Sequence, residues 1–353
     1  MRIAFAVMSV GLGHATRSLP LMKTLIERGH ELTIISNSNA LEFLKHELNA
    51  KRFIRLKDYS FPNTFFRDDK VSVKRFLLHL PLFFHEYRKE QRAFRQIHKK
   101  HNFQCIISDT RYGIYKKKIP SYIICHHIKN RIKRLEKLSD IMTELSMLGL
   151  FTNFDKVLIP DLKSKQISGA YANDFRFIQN EVYLGILSMM KKQKLRQDVD
   201  YFFSLSGPES QRKRLEKKVF EQLPELGDKK IVITLGSPKS KFVKKQGNLE
   251  VYGYLNAKAQ ADMMNRAKLV IARSGYSTIM DLVELGKKAL LIPTKGLPEQ
   301  EYLANYHNKH FLTKSLDRLN LRKDLAKAER FPGISVHSKT KASIKKFLRI
   351  TNL

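Results

Sequence analysis

The stretch 267–305, AKLVIARSGYSTIMDLVELGKKALLIPTKGLPEQEYLAN, reads strand, Ser/Gly loop, helix, strand, loop, helix. Two strands joined through a helix lie parallel, because a parallel pair needs a long crossover. Runs as uniformly apolar as Lys268–Ala272 and Ala289–Ile292 belong to a sheet covered on both faces. This part of the chain is therefore restricted to an α/β fold, and its loops are placed. Arg273, Ser274, Gly275, Tyr276, Ser277 and Thr278 leave the end of a strand and open a helix. A helix N-terminus presents unpaired N–H groups and a partial positive charge, which suit a phosphate. Asp281 sits one turn into that helix, and Glu299-Gln300 opens the next. Phosphate donors, a carboxylate and a polar pair on adjacent loops are what a nucleotide-sugar site needs.

The same alternation starts the chain. Ile3–Ser9 predicts a strand, Ala15–Arg28 a helix ended by Gly29, and Glu31–Ser36 a second strand. Phe103–Ser108 and Ser121–Cys125 read as later strands of that sheet, and Phe76–His101 as a long basic segment with an apolar start interrupted by Pro81. Lys191–Gln197 is polar, basic and aperiodic, a linker to a second series: Val199–Leu205, Ile231–Leu235, Leu249–Gly253 and the two strands already named. The 353 residues exceed one ordinary core, so two domains of about 150–200 residues are expected. They are 1–190 and 198–337, followed by a basic amphipathic helix at 338–353.

Charge narrows the partners. Lys and Arg number 66 against 33 Asp and Glu, a formal +33. Such a field attracts nucleic acid, anionic lipid or a polyanionic substrate. The excess is dispersed over Lys116-Lys117-Lys118, Lys129–Arg134, Lys191–Arg196 and Arg212–Lys218, without the interleaved aromatics of a single-strand nucleic-acid groove. Nucleic acid is disfavoured, and a merely solvated basic surface and an anionic membrane surface stand level. No apolar run reaches the length of a membrane span, and the glycine-broken start MRIAFAVMSVGLGH reads as a strand rather than a signal peptide. Cys105 and Cys125 adjoin isoleucines on strands, which reads as buried thiols of a cytoplasmic protein.

The first strand-to-helix turn is Ser9-Val10-Gly11-Leu12-Gly13-His14-Ala15-Thr16-Arg17. As a dinucleotide fingerprint it fails twice: Thr16 holds the third glycine position, and the second strand ends in Ser36-Asn37 without an acid. A G-x-G alone is as often a tight turn. Here it brings His14 to the carboxyl edge of the sheet, where open α/β folds bind ligands. Asp109 follows a strand of the same sheet and reaches the same edge, either as a turn aspartate or as the carboxylate that fixes an imidazole tautomer. His126 and His127 end at that edge too, as acceptor-lining or ordinary loop residues; neighbours in sequence point apart and make a poor metal site. Asp198-Val199-Asp200 has the form of a metal-diphosphate motif but precedes its strand, so it belongs at the amino edge and reads as structural. Ser206-Gly207 and Gly236-Ser237 follow strands and can offer N–H groups to a diphosphate.

Taken together, the Gly-x-Gly-His start, Ser206-Gly207-Pro208-Glu209 and the 267–305 block resemble a GT-B glycosyltransferase, in the family 28-like branch of the lipid II-forming N-acetylglucosaminyl transferase. The resemblance is densest in the second half. It implies two Rossmann-like domains with parallel sheets facing across a cleft, the donor held by the second and the acceptor by the first. It implies that Ser206, Gly207, Ser274, Gly275, Ser277 and Thr278 serve the donor diphosphate, that Gly13 and Arg273 also belong to the donor site, and that Asp281 binds the ribose, where the family commonly has glutamate. Glu299 and Gln300 would contact the sugar and Asn305 would support their loop. His14, with Asp109, would be the base of an inverting transfer of a hexose or N-acetylhexosamine from a UDP-sugar. No metal or other cofactor is implied. A lipid-linked or anionic glycan acceptor and a peripheral position at the cytoplasmic membrane face go with the basic surface and Phe76–Phe84. A nucleotide-sugar epimerase of the same fold and a non-enzymatic binder of anionic surfaces are the alternatives.

Overall fold

A computed structural model describes residues 1–353 apart from 61–72, 130–135, 165–166, 174, 238–239, 241 and 337–338, and describes only the backbone at 73–80 and 136–140. Most of the basic run Lys129–Arg134, Pro238, Ser338 and the side chains at the start of Phe76–Phe84 therefore lie outside the described residues. The chain forms two compact units, Met1–Ser188 with Ser338–Leu353, and Met189–His337.

The first unit runs β1 (Arg2–Val7), α1 (Gly13–Glu27), β2 (Glu31–Ser36), α2 (Ser38–Glu47), β3 (Arg52–Arg55), α3 (Val73–His101), β4 (Cys105–Asp109), β5 (Ser121–Ile124), α4 (Glu136–Phe151), β6 (Lys156–Ile159) and β7 (Glu181–Tyr183). Its seven strands lie in the order β3-β2-β1-β4-β5-β6-β7, every pairing parallel. Five consecutive residues of β1 are buried, as a central strand with helices on both faces requires. One core packs Phe94, Phe103 and Ile106, and another gathers Phe151, Phe154 and Val157. Each such side chain contributes about 1.5–3 kcal/mol over leaving it exposed. Gly29 ends α1 at φ +79°, its N–H donating to Ile26 O at 2.9 Å.

Two boundaries differ from the sequence reading in ways that matter. β1 stops at Val7 and α1 starts at Gly13, so Gly13 and His14 form the first turn of the helix rather than a preceding loop. Gly11 at φ +70° allows the chain to reverse early enough for that. β4 runs through Asp109, pairing it with Val7 and Ile124, so the aspartate is the last strand residue and not the first loop residue. α3 continues through Pro81. Cys105 and Cys125 are buried free thiols.

The second unit runs β8 (Val199–Ser204), α5 (Glu209–Gln222), β9 (Ile231–Thr234), β10 (Val243–Gln246), β11 (Leu249–Tyr252), α6 (Ala257–Arg266), β12 (Ala267–Ala272), α7 (Tyr276–Leu285), β13 (Lys288–Leu291), α8 (Pro298–Tyr306), β14 (Leu312–Thr313) and α9 (Leu321–Ala328). Its order is β10-β11-β9-β8-β12-β13-β14, parallel except for β10 against β11. Its core contains Phe203, Leu215, Ile233, Ile271 and Leu290. The last helix, α10 (Thr340–Thr351), belongs to the first unit and meets α1 there. Thr340 Oγ1 accepts from the N–H of Ser188 at 3.0 Å.

Both sheets reverse their strand order once, between β1 and β4 and between β8 and β12. At such a point the connections leave in opposite directions and open a crevice at the carboxyl ends, where ligands of open α/β sheets bind.

Candidate active site

The switch point of the first unit carries charge. His14, in the first turn of α1, places Nδ1 2.8 Å from Oδ1 of Asp109 at the end of β4. A carboxylate only accepts, so Nδ1 bears the hydrogen. The described polar contacts of His14 all involve Nδ1, leaving Nε2 unpaired among the described residues. Asp109 is fully buried and also accepts from Arg17 Nε at 2.8 Å, Arg17 Nη2, Ser18 Oγ at 2.6 Å and Thr110 Oγ1 at 3.0 Å. Burial alone pushes its carboxyl up. The charge of Arg17, then that of His14 and the hydrogen bonds from both, outweigh burial and hold it well below the usual carboxylate range.

Arg17 is not among the residues expected from the sequence. It lies three residues after His14, on the same face of α1, and that spacing is the signal that could have found it. Its Nη1 donates to Nδ1 of His126, whose ring stands 6.1 Å from that of His14. His127 instead packs edge-on against Tyr171 at 4.5 Å. A buried network supports the neighbouring loops. Arg111 donates to Glu90 at 2.7 Å and Asp58 at 2.9 Å, and Asp58 in turn accepts from Ser9 at the start of the glycine turn.

The switch point of the second unit carries neutral donors. Gly275 is the N-cap of α7, and no side chain caps that helix. The hydroxyls of Ser277 and Thr278 in its first turn are half-buried and make no hydrogen bond among the described residues. A Cβ on Gly275 would lie 3.7 Å from Thr278 Oγ1 and 4.0 Å from Gln300 Nε2, so bare backbone and two donors border one notch. Gln300 ties the loops together: its Oε1 accepts from the N–H of Thr294 at 2.9 Å, and its carbonyl from Ser274 Oγ at 2.7 Å. Ser206 and Gly207, after β8, are exposed, and Gly207 takes φ +110°. Asp281 is half-buried on α7, four residues after Ser277 and on its face. Glu299 is half-buried in the first turn of α8, and Asn305 is exposed in the last.

Arg273 occupies a different place from its neighbours. It is 2 % exposed and donates to the carbonyls of Ile292 at 3.2 Å, Pro293 at 3.1 Å and Gln211 at 2.9 Å. Burial pushes its guanidinium down to about 10. It clamps the loops after β12 and β13 to α5 from beneath rather than lining their surface. At the opposite edge, Asp198 accepts from Arg266 Nη2 at 2.6 Å and Lys230 at 2.9 Å, and Asp200 from Lys268 at 2.8 Å. These acids serve ion pairs at the amino end of β8. No group of His, Cys, Asp and Glu placed to hold a metal occurs among the described residues.

Comparison with known proteins agrees with both halves. Residues 207–330 match the glycosyltransferase family 28 C-terminal domain, and residues 1–140 match glycosyl transferase family 1. Aligned on the glycotransferase of kitacinnamycin, the two chains share 14 % identity over 99 % of this chain and 95 % of that one, with a TM-score of 0.62. For the spinosyn rhamnosyltransferase SpnG the values are 13 % identity, 100 % and 96 % coverage and 0.62. That protein is also known complexed with thymidine diphosphate. For MurG of Acinetobacter baumannii they are 12 %, 99 %, 99 % and 0.56. No curated protein sequence matches significantly. Identities this low speak for the fold, and the family matches speak for the class: the chain is a GT-B glycosyltransferase. Its residues 207–330 are of family 28 type.

Proposed function

We propose that the protein transfers a hexose or N-acetylhexosamine from a nucleoside diphosphate sugar, a UDP-sugar in the first instance, to an acceptor hydroxyl with inversion. The observation that carries this reading is an imidazole held by a fully buried carboxylate at the switch point of a glycosyltransferase fold. His14 Nε2 takes the acceptor proton while the acceptor oxygen bonds to the anomeric carbon and the bond from that carbon to the diphosphate oxygen breaks. The diphosphate leaves with the electron pair. Its charge is received by the N–H groups at the start of α7, the hydroxyls of Ser277 and Thr278, the amide of Gln300 and the Ser206-Gly207 turn. Asp281 binds the ribose and Glu299 the sugar. With the D-x-D acids engaged in ion pairs, the reading needs no tightly held metal, and transfer persists in a chelator.

The thymidine diphosphate complex of SpnG supports a pyrimidine nucleotide and leaves uracil and thymine both open to test. A lipid-linked acceptor and an anionic membrane surface are supported by Leu82 and Phe84 on α3 and Met142 and Leu145 on α4, large apolar side chains exposed on the unit that carries the base, with Arg88, Lys89 and Arg92 exposed along α3. Among the described residues no helix is long and apolar enough to cross a membrane.

The test joins binding to transfer. Unfolding midpoints are measured with UDP, dTDP and their sugars, and transfer with His14→Ala. The expected result is stabilisation by one nucleotide series in both proteins and loss of transfer only in the variant. Transfer that survives His14→Ala with donor binding unchanged would refute the assignment of the base.

A further inference from the structure

A buried carboxylate beside an imidazole stabilises the imidazolium. Acting alone, Asp109 would favour a resting His14 that already carries the proton it is meant to take. The structure supplies a counterweight. Arg17 is 2 % exposed and gives both oxygens of Asp109 a hydrogen bond, from Nε at 2.8 Å and from Nη2. The same Nη2 stands 3.0 Å from Nδ1 of His14. An imidazolium at His14 would therefore face a permanent cation at contact distance, and the carboxylate drawing it is already paired.

We propose that Arg17 is a positioning residue of the base: it lets Asp109 orient Nδ1 while keeping Nε2 free of a proton before the acceptor arrives. The proposal rests on the reading of His14 as base.

The other groups around the pair do not replace this charge. From α1 come His14, Arg17 and the partial positive charge of the helix start, which also opposes a cation. From β4 and its loop come Asp109 and Tyr112; from β5 and its loop, Cys125 and His126. Burial pushes the Cys125 thiol up to about 11 and the Tyr112 phenol well above its usual range, so both are neutral near pH 7. His126 turns Nδ1 to Arg17 as an acceptor, so its proton resides on Nε2.

The experiment is the pH profile of kcat/KM for the wild type, Arg17→Gln and Arg17→Lys, with His14→Ala as reference. The acid limb reports the free base. In Arg17→Gln it moves to higher pH by about 1–3 units, the range a neighbouring charge commands, and the rate lost at neutral pH returns on raising the pH. In Arg17→Lys the charge stays and the limb remains within about half a unit of wild type, with a lower plateau because an ammonium cannot make the two-pronged contact. A limb unmoved in the Gln variant overturns the proposal. If that variant does not fold, a limb displaced by a full unit in the Lys variant overturns it, since its charge is intact. Persistence of transfer in His14→Ala is a separate failure, that of the base itself.

Discussion

Asp109→Asn keeps the shape of the side chain and removes its charge, and the structure sets the size of two consequences. The first is stability. Arg17, 2 % exposed, would stay buried after losing its ionic partner. Breaking a buried pair from one side costs about 3–5 kcal/mol, against a typical total of about 5–15 kcal/mol. The variant folds, with a clearly lower urea midpoint. The second is chemistry. The amide oxygen stays with Arg17 Nε and Ser18 Oγ, so the NH2 takes the place of the oxygen that faces His14 Nδ1 and Arg17 Nη2. That forces the imidazole hydrogen onto Nε2 and removes the base; the same substitution behind the histidine of a serine protease costs on the order of 10⁴ in kcat. A kcat loss on the order of 10³–10⁴ is expected here, with KM for the donor unchanged. The pH dependence supplies a sign. The folded carboxyl lies below its unfolded value of about 3.9, so its contribution is fully present above that pH and lost as pH falls through the folded value. The stability gap between wild type and variant therefore narrows below about pH 4. Urea unfolding across pH and initial transfer rates measure all three. A folded variant with kcat within tenfold of wild type, or with wild-type stability at pH 7, would refute the reasoning.

Two further substitutions test the scaffold. A Cβ on Gly113 would stand 2.8 Å from Glu90 Oε2, 3.0 Å from the carbonyl of Tyr87 and 3.2 Å from the N–H nitrogen of Gln91. Gly113→Ala thus pushes on a carboxylate that Arg111 and the Gly113 N–H already hold, and should lower unfolding free energy by roughly 1–3 kcal/mol with transfer per folded molecule retained; equilibrium unfolding in urea checks it. Lys287 is buried with Nζ donating to the carbonyls of Asn265 at 2.7 Å and Ala267 at 2.6 Å, and burial lowers it to about 8. The unfolded chain then binds more protons than the folded one between pH 8 and about 10.4, so this group makes stability rise with pH across that window. Lys287→Met should remove that rise from the difference between the two unfolding profiles, and an unchanged slope would count against it.

How much was legible in the sequence differs by element. Apolar runs such as Lys268–Ala272 and glycines such as Gly29 announce themselves, because a central strand is buried on both faces and a helix end at positive φ selects glycine. β3 (RFIR), β7 (EVY) and β10 (VKKQ) did not, because strands at or near a sheet edge are half-exposed and carry no apolar run. Their assignment comes from pairing with a neighbour, which is tertiary information. His14 and Asp109 were placed at one edge by the strands they follow or end. Their 2.8 Å contact depends on how β1 and β4 register, Val7 opposite Asp109, and no local pattern encodes that. Arg17 was hidden for a different reason. In a chain so rich in basic residues, an arginine between Thr16 and Ser18 looks like part of a solvated surface. Arg273 was found as part of a motif, yet its partners are carbonyls, which every residue has, so its clamping role leaves no trace in residue types.

With His14 as the proposed base and the start of α7 as the proposed diphosphate site, the two switch points divide the chemistry in a way that follows from what each would receive. A departing diphosphate brings its own negative charge. Fixed neutral donors meet that charge without the desolvation cost of a buried cation, and they need no rearrangement as the charge develops. The second unit is built accordingly: glycine backbone, hydroxyls and an amide lie at the loop surface, while Arg273 is turned beneath to hold them. A base has the opposite need. It must change charge within the reaction, so its environment has to balance two protonation states, and opposed fixed charges do this. Asp109 draws the imidazolium and Arg17 resists it, both buried where screening is weakest. Exchanging the two strategies would fail at both ends. A carboxylate at the Gly275 notch would repel the leaving group, and a purely neutral setting at His14 would leave the imidazole without a fixed tautomer.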